Sequence, residues 1–443
     1  MTRENDPAKQ GHRHIITGLA SVSTFIIIAK ICGALKEVAV AARYGTNPAA
    51  DAYAYVFSLL SSPLAIWTST LAVILIPLLV RANKEKPGQI ETFQGEFFTL
   101  SLLLGSVLGV FCGAALGAVL LGSASGLPAA AVHYASWMAA PLAFILPFGF
   151  ASTLFATQLM VSRRHTNSLF EGIPSFCLMV TVLVYRDNDG RSLVIGTLAG
   201  FACQMVALIL AQPDVTRAVS FTPRFSSPLW KEVWRYSLIV VLSVAILNIT
   251  GVIDQVMVAH LGDNANATLG YATRLLALLT GLGATAVGRA LLPVLSELRT
   301  SQGGQEHDIA MRWAWILFLV GICAAGLGWA TARVGVHLAF ERGAFSAQDT
   351  TRVADALRFG FLQLPFYFAG IVVSQLIASH SRYKIFLFSN CVGLAVKFVG
   401  NLVLIPAMGI KGAFLATAIM YAATTGVLLA STMGVAQPKP PQS

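Results

Sequence analysis

The chain has 443 residues, of which 56% are hydrophobic and 11% charged. Its mean hydropathy of +0.71 excludes an ordinary soluble domain, in which about a quarter of the residues are charged. The formal net charge of +10 is spread in short clusters between apolar runs, which excludes a basic nucleic-acid-binding domain with stacking aromatics.

Apolar runs of about 20 residues cross a bilayer as helices, and about twelve occur in order: 16–43, 51–80, 95–121, 133–161, 168–185, 192–212, 236–261, 267–296, 311–338, 353–379, 384–406 and 412–434. They predict an all-α polytopic membrane protein. A basic tail over 1–14 precedes the first run. Ile15 to Ala29 behind that tail resembles a signal peptide, but Lys30 and Lys36 interrupt it and no polar domain follows, so an uncleaved first span is expected. The first six runs form an N-terminal lobe over 15–212. The polar linker 213–232 follows, where PLWKEVWRYS reads as an interfacial helix with Trp230 and Trp234 at headgroup level. The last six runs form a C-terminal lobe over 233–434, and the proline-rich end 435–443 is expected to be disordered.

Charge alternates along the connections. Arg81/Lys84/Lys86, Arg163/Arg164, Arg217/Arg224/Lys231, Arg299/Arg312 and Arg382/Lys384 occupy every second one. The intervening GTNPAA, GSASGLP, GDNANA and PAMGIKG are nearly free of Lys and Arg, with RDNDGR and ERGAF as exceptions. This bias places both termini in the cytoplasm. The six cysteines lie inside apolar runs without a CxxC pair or His/Cys ligand spacing, so neither a disulfide framework nor a metal site is expected.

Two stretches about 217 residues apart share a pattern. AARYGTNPAADAYAY (Ala41 to Tyr55) followed by LIPLL matches VAHLGDNANATLGYA (Val258 to Ala272) followed by LLPVL. ILPFGF (Ile145 to Phe150) likewise matches QLPFYF (Gln363 to Phe368), and ATQLMVS matches VSQLIAS. Repeats of six spans each are parallel, giving two pseudo-symmetric six-helix lobes of the kind that secondary transporters use.

Ionisable residues within these spans are candidates for function. Each costs about 2.5–3.5 kcal/mol near a helix centre unless a cavity or partner accepts it. The first span carries Lys30, Lys36, Glu37 and Arg43; the seventh Asp254; the eighth Arg274 and Arg289; the tenth Asp355 and Arg358; the eleventh Lys397, with Asn401 one turn on. For Arg43, Asp355 and Arg358, snorkelling or local pairing explains the charge equally well. Lys30, Lys36 and Arg274 are deeper and read as cavity-lining. Cations from both halves suit a phosphate or diphosphate, because charge-assisted hydrogen bonds strengthen in a partly dry cavity. Asp254 and Lys397 either neutralise one another or, with Asn401, form a coupling-ion site.

AKICGALKEVAVAARYGTNPAADAYAY, LGYATRLLALLTGLGATAVGRALLPVLSEL, FERGAFSAQDT and NLVLIPAMGIKGAFLAT together resemble the MurJ/MviN lipid II flippases of the multidrug/oligosaccharidyl-lipid/polysaccharide exporter superfamily. The resemblance implies two six-helix lobes that move an undecaprenyl-diphosphate-linked sugar from the cytoplasmic to the periplasmic leaflet of the bacterial inner membrane. It also implies diphosphate-handling roles for Lys30, Lys36, Glu37, Asp51 and Arg274. The chain departs from the family at Leu64, Ala65 and Ala277, where the resemblance implies two arginines and an acid, and it ends after about twelve spans, without the two further helices that shape a lipid-tail groove. An exopolysaccharide repeat unit or other lipid-linked glycan is therefore the expected substrate, with lipid II a close second. The expected partners are membrane lipids and the polysaccharide or peptidoglycan synthesis machinery.

A cation-coupled drug exporter of the same superfamily is the alternative. It needs an unpaired deep acid in the N-terminal lobe, for which Glu37 and Glu171 are the candidates. A membrane glycosyltransferase needs catalytic acids on a sizeable loop, which the sequence lacks, so no enzymatic activity is expected. There is no Walker A pattern and no cofactor is expected; Na+, H+ or the membrane potential remain as energy sources.

Overall fold

The computed structural model describes residues 28–85, 87–122, 124–161, 167–212, 224–281, 305–379 and 383–433. No strand occurs among them. In chain order the helices are α1 (28–44), α2 (Pro48–Glu85), α3 (Pro87–Leu121), α4 (Ala129–Ala143), α5 (Ile145–Val161), α6 (Asn167–Phe170), α7 (Ile173–Val184), α8 (Arg191–Leu210), α9 (Trp230–Ala259), α10 (265–281), α11 (Gln305–Phe340), α12 (Ala347–Phe361), α13 (Leu364–Ser379), α14 (Tyr383–Met408) and α15 (Ile410–Met433). Every expected apolar run contains helix. Among the described residues eight helical stretches are long and apolar enough to cross a membrane, counting α4 and α5 as one; α12 and α13, bent by 42° at their junction, make a ninth if taken as one span. Exposed apolar faces such as Val107, Val110 and Phe111 on α3 and Trp315, Leu319 and Leu327 on α11 suit lipid rather than water.

The repeat in the sequence is a repeat in the backbone. At the first copy α1 ends, Gly45 turns with φ +56°, and α2 begins. At the second, α9 ends, Gly262 and Asn264 take φ +101° and +65°, and α10 begins. The two Leu-Pro-Phe segments match as closely. Helix breaks just before each, at Phe144 between α4 and α5 and at Leu362–Gln363 between α12 and α13. Opposite each break stands a glycine. A Cβ on Gly105 of α3 would lie 2.9 Å from Leu146 O and Pro147 Cα, and one on Gly321 of α11 would lie 2.9 Å from Leu364 O and 2.5 Å from Pro365 Cα. Proline removes the helical hydrogen bond, and glycine lets the neighbouring helix approach the exposed backbone.

The chain divides into two compact units. The first comprises the chain through Arg43, Leu59–Leu121 and Tyr134–Val240. Its core joins the end of α2 to the start of α3 and of α9, through Leu75, Leu78, Leu79, Phe93, Phe97, Leu154 and Val233. Trp230 packs on Phe93 and Phe97 with ring centroids 5.1 and 6.0 Å away. It is buried, so of the two tryptophans expected at headgroup level only Trp234 is exposed. The expected interfacial helix is the first part of the unbroken α9. Glu171, expected deep in a span, is exposed in the turn between α6 and α7, because Pro174 and Gly172 start α7 only after it.

The second unit comprises Tyr44–Ser58, Gly122–His133 and Val241–Ser443. Helix α2 therefore contributes its first turns to this unit. They settle against the start of α10 and the loop between α11 and α12. Tyr44, Tyr271, Phe340 and Phe345 are buried there, with Tyr271 5.2 Å from Phe340 and 5.4 Å from Phe345 between ring centroids.

Candidate functional site

Helix α1 carries the basic residues that the sequence singled out. Lys30 is exposed and Lys36 half-buried. Lys36 Nζ lies 2.7 Å from Glu37 Oε1, so this ion pair joins chain neighbours. Glu37 is itself buried, and a paired acid of this kind is poorly suited to bind a free coupling cation. Arg43 is half-buried, and its Nε has no hydrogen-bond partner among the described residues.

In the second unit Asp51 does structural work. It lies in the first turn of α2 and is 1% exposed. Its Oδ1 accepts a hydrogen bond of 2.8 Å from Ala267 N, one of the amide groups at the start of α10 that have no intrahelical partner. Tyr271 of α10 returns the contact by donating from its hydroxyl to Gly45 O at 2.8 Å. Thr46 Oγ1 donates to Asp349 Oδ1 at 2.6 Å. Asp349 is already placed by a capping box with Ser346 at the start of α12. Arg274 is half-buried one turn beyond Tyr271, with its guanidinium 5.8 Å from that ring's centroid. Arg289 lies outside the described residues.

Asp254 and Lys397 do meet. Lys397 Nζ is 2.8 Å from Asp254 Oδ1, with the lysine side chain 1% exposed and the aspartate 16%. The same ammonium donates to Ala413 O at 2.8 Å and to Thr417 Oγ1. Asn401, one turn from Lys397 on the same face of α14, donates from Nδ2 to Asp254 Oδ1 at 2.7 Å. Close packing of α14 on α15 makes this reach geometrically available: a Cβ on Gly400 would lie 3.0 Å from Ala416 Cβ, and one on Gly412 would collide with Leu404 O. Asp355 pairs with Arg358 at 3.0 Å, as local pairing predicts, and also with Lys411 at 3.3 Å.

Three features were not singled out from the sequence. Glu96 of α3 is fully buried, and accepts from Ser226 N at 2.7 Å, Ser226 Oγ at 2.8 Å, Ser227 N at 3.2 Å and Trp230 Nε1 at 2.6 Å. It ties the start of α9 to α3. Its only sequence signal is a lone acid at the edge of an apolar run. The Thr46–Asp349 contact joins residues about 300 apart in the chain, which no local pattern reports. A pocket of about 430 Å³ gathers Asp263, Asn264, Thr268, Arg352, Asp355 and Lys411 over a largely apolar lining. Asp263 and Asn264 come from the turn before α10, whereas Thr268, Arg352, Asp355 and Lys411 stand on α10, α12 and α15, and of these the sequence marks only Asp355.

The sequence model of the family described as lipid II flippase MurJ matches residues 40–435. The chain belongs to the lipid II flippase MurJ family. A probable lipid II flippase MurJ from Bdellovibrio bacteriovorus is 23% identical over 97% of this chain and 84% of its own length. A lipid II flippase MurJ from Burkholderia cenocepacia is 22% identical over 78% of this chain and 69% of its own. Among solved structures, a lipid II flippase MurJ in an inward closed conformation superposes with a TM-score of 0.78 at 18% identity, covering 94% of this chain and 87% of that one. A multidrug resistance MATE family transporter of the MOP superfamily, in an inward-facing conformation, gives 0.76 at 15% identity, covering 92% and 94%. Scores so close show one fold shared across the superfamily, and they do not separate flippase from drug exporter. The sequence match separates them, and this MurJ-family chain is a multi-pass membrane transporter rather than an enzyme.

Proposed function

We propose that this MurJ-family chain moves a polyprenyl-diphosphate-linked glycan from the cytoplasmic to the periplasmic leaflet of the bacterial inner membrane by alternating access. The observation that carries the reading is the family match over residues 40–435. The chemistry of α1 supports it, since Lys30 and Lys36 place two cations where a membrane helix otherwise carries none. Lys36, held by Glu37, offers a compact point charge to a diphosphate, and Arg274 beside Tyr271 offers a planar fork. The prenyl tail stays in the bilayer while the headgroup crosses. Both termini in the cytoplasm complete the arrangement, and the enzymes that build and polymerise the glycan are the partners that this role requires.

The family puts lipid II first as the glycan. An exopolysaccharide repeat unit is the second reading, favoured by Leu64 and Ala65 where the resemblance implies arginines. A Cβ on Gly149 would lie 2.5 Å from Leu64 Cδ2, so that side chain is spent on packing between α2 and α5. The test is flipping in proteoliposomes, with lipid II and an undecaprenyl-diphosphate repeat unit compared as substrates. Movement of lipid II that is lost in Lys36→Ala and Arg274→Ala supports the first reading; movement of the repeat unit alone selects the second. Export of a cationic dye with neither lipid moved overturns both in favour of a drug exporter.

A further inference from the structure

Lys397 is an unusual use of a lysine inside a membrane helix. A primary ammonium has three N–H donors, and all three have an oxygen here: the Asp254 carboxylate, the Ala413 backbone carbonyl and the Thr417 hydroxyl. Thr417 Oγ1 in turn donates to Ala413 O at 2.9 Å, which fixes two of the three acceptors relative to each other. Asn401 Nδ2 donates to the same Asp254 oxygen at 2.7 Å, which steadies the carboxylate. One carboxylate, one carbonyl and one hydroxyl oxygen make up an all-oxygen set around the ammonium, the kind that hard cations select.

We propose that Lys397 is a tethered substitute for a bound monovalent cation: its ammonium occupies an oxygen cage of Asp254, Ala413 and Thr417 that, without the lysine, would take Na+. The cation is delivered by a helix instead of by solution. Charge balance at Asp254 is then permanent, and the second unit needs no dissociable ion at this point. The three contacts carry this inference whatever the transported lipid is, and its readout is ion binding rather than flipping.

The experiment measures Na+ binding and thermal unfolding of the purified full chain in detergent, in NaCl against choline chloride at equal ionic strength. The wild type should bind no Na+ at this site and unfold at the same temperature in both salts. Lys397→Ser removes the ammonium, leaves a hydroxyl and space for an ion, and exposes Asp254, which keeps 16% of its side-chain surface open. That variant should gain about one Na+ per chain, with unfolding raised by about 2 °C or more in NaCl alone. Should it fail to fold in choline, folding restored by NaCl is the same result in another form. Asp254→Asn combined with Lys397→Ser removes the ligand charge and should show no preference for Na+. Specific Na+ stabilisation of the wild type overturns the proposal. So does an equal response of the single and double variants, or a Lys397→Ser protein that NaCl neither binds nor rescues.

Discussion

Two lysines in two apolar helices, Lys36 of α1 and Lys397 of α14, face the same cost of placing an ammonium among hydrocarbon, and they meet it in different ways. Lys397 is 1% exposed and spends every donor on oxygens of its own unit. Lys36 keeps 22% of its side chain exposed and has its short contact with its chain neighbour Glu37. A charge whose hydrogen bonds are all internal holds helices together. A charge left partly open has electrostatic capacity for something else. The contrast separates structural from functional cations in a protein where both look alike in sequence, and each variant below bears on it.

The largest expected effect on the folded protein is at Lys397. Lys397→Met leaves Asp254 uncompensated, and breaking a buried pair costs about 3–5 kcal/mol, whereas removing both partners can be nearly neutral. Membrane abundance of Lys397→Met and of Asp254→Asn should fall sharply, and the double variant should recover it. Normal abundance of both single variants would erase the distinction between the two lysines.

Glu96 sharpens the comparison from the acidic side. It is a fully buried carboxylate, yet its partners are neutral: two serine amides, a serine hydroxyl and an indole. Glu96→Ala strands those donors at about 1–3 kcal/mol for each one left without water. The expected result is a lower unfolding temperature and faster proteolysis at the start of α9. Glu96→Ala with an unchanged unfolding temperature would mean that the serine amides find water instead.

How much of this was legible in the sequence depends on distance along the chain. The helices, the two glycine turns and the paired Leu-Pro-Phe breaks are local matters of hydropathy and backbone stereochemistry, and they stand in the sequence as plainly as in the structure. The Asp254–Lys397 contact was readable because two opposite charges in one apolar half have few ways of being tolerated. Asp51 was read from family resemblance as a diphosphate residue, and its hydrogen bond to Ala267 N emerges only when α2 and α10 are folded together. Glu96 and the Thr46–Asp349 contact could not be found at all, since the partners lie far along the chain in loops and helix starts whose composition is ordinary. Trp230 misled because an aromatic beside a basic linker has two physical homes, the headgroup layer and a core, and composition does not choose between them.

Gly45 offers a smaller, backbone test of the second unit. It holds φ +56°, and a Cβ there would lie 2.5 Å from Ala344 O. Gly45→Ala combines about 1–2 kcal/mol of left-handed strain with that collision, next to the carbonyl that accepts from Tyr271 and the Thr46 that donates to Asp349. Stability should fall by more than the strain alone, and hydrogen exchange at Ala267 and Tyr271 should quicken, because the first turns of α2 lose their fit. Unchanged exchange at those amides would show that the two ends do not depend on the turn.

Lys36 should give the smallest change in folding and the clearest change in function. Its side chain is partly exposed, so Lys36→Ala removes the lysine partner of Glu37 but leaves that carboxylate in reach of water, and unfolding should shift by less than the about 3–5 kcal/mol of breaking a fully buried pair. If the open charge is what meets a diphosphate, glycan flipping should be lost while the protein remains inserted at normal abundance. Lys36→Arg should retain more activity than Lys36→Ala, because it preserves the charge and adds donors, although its fork holds a different geometry. Glu37→Gln isolates the remaining term: it leaves Lys36 in place but weakens the contact that positions it, so activity should fall less than in Lys36→Ala. Full flipping by Lys36→Ala would move Lys36 into the same class as Lys397, a charge whose only task is to be tolerated.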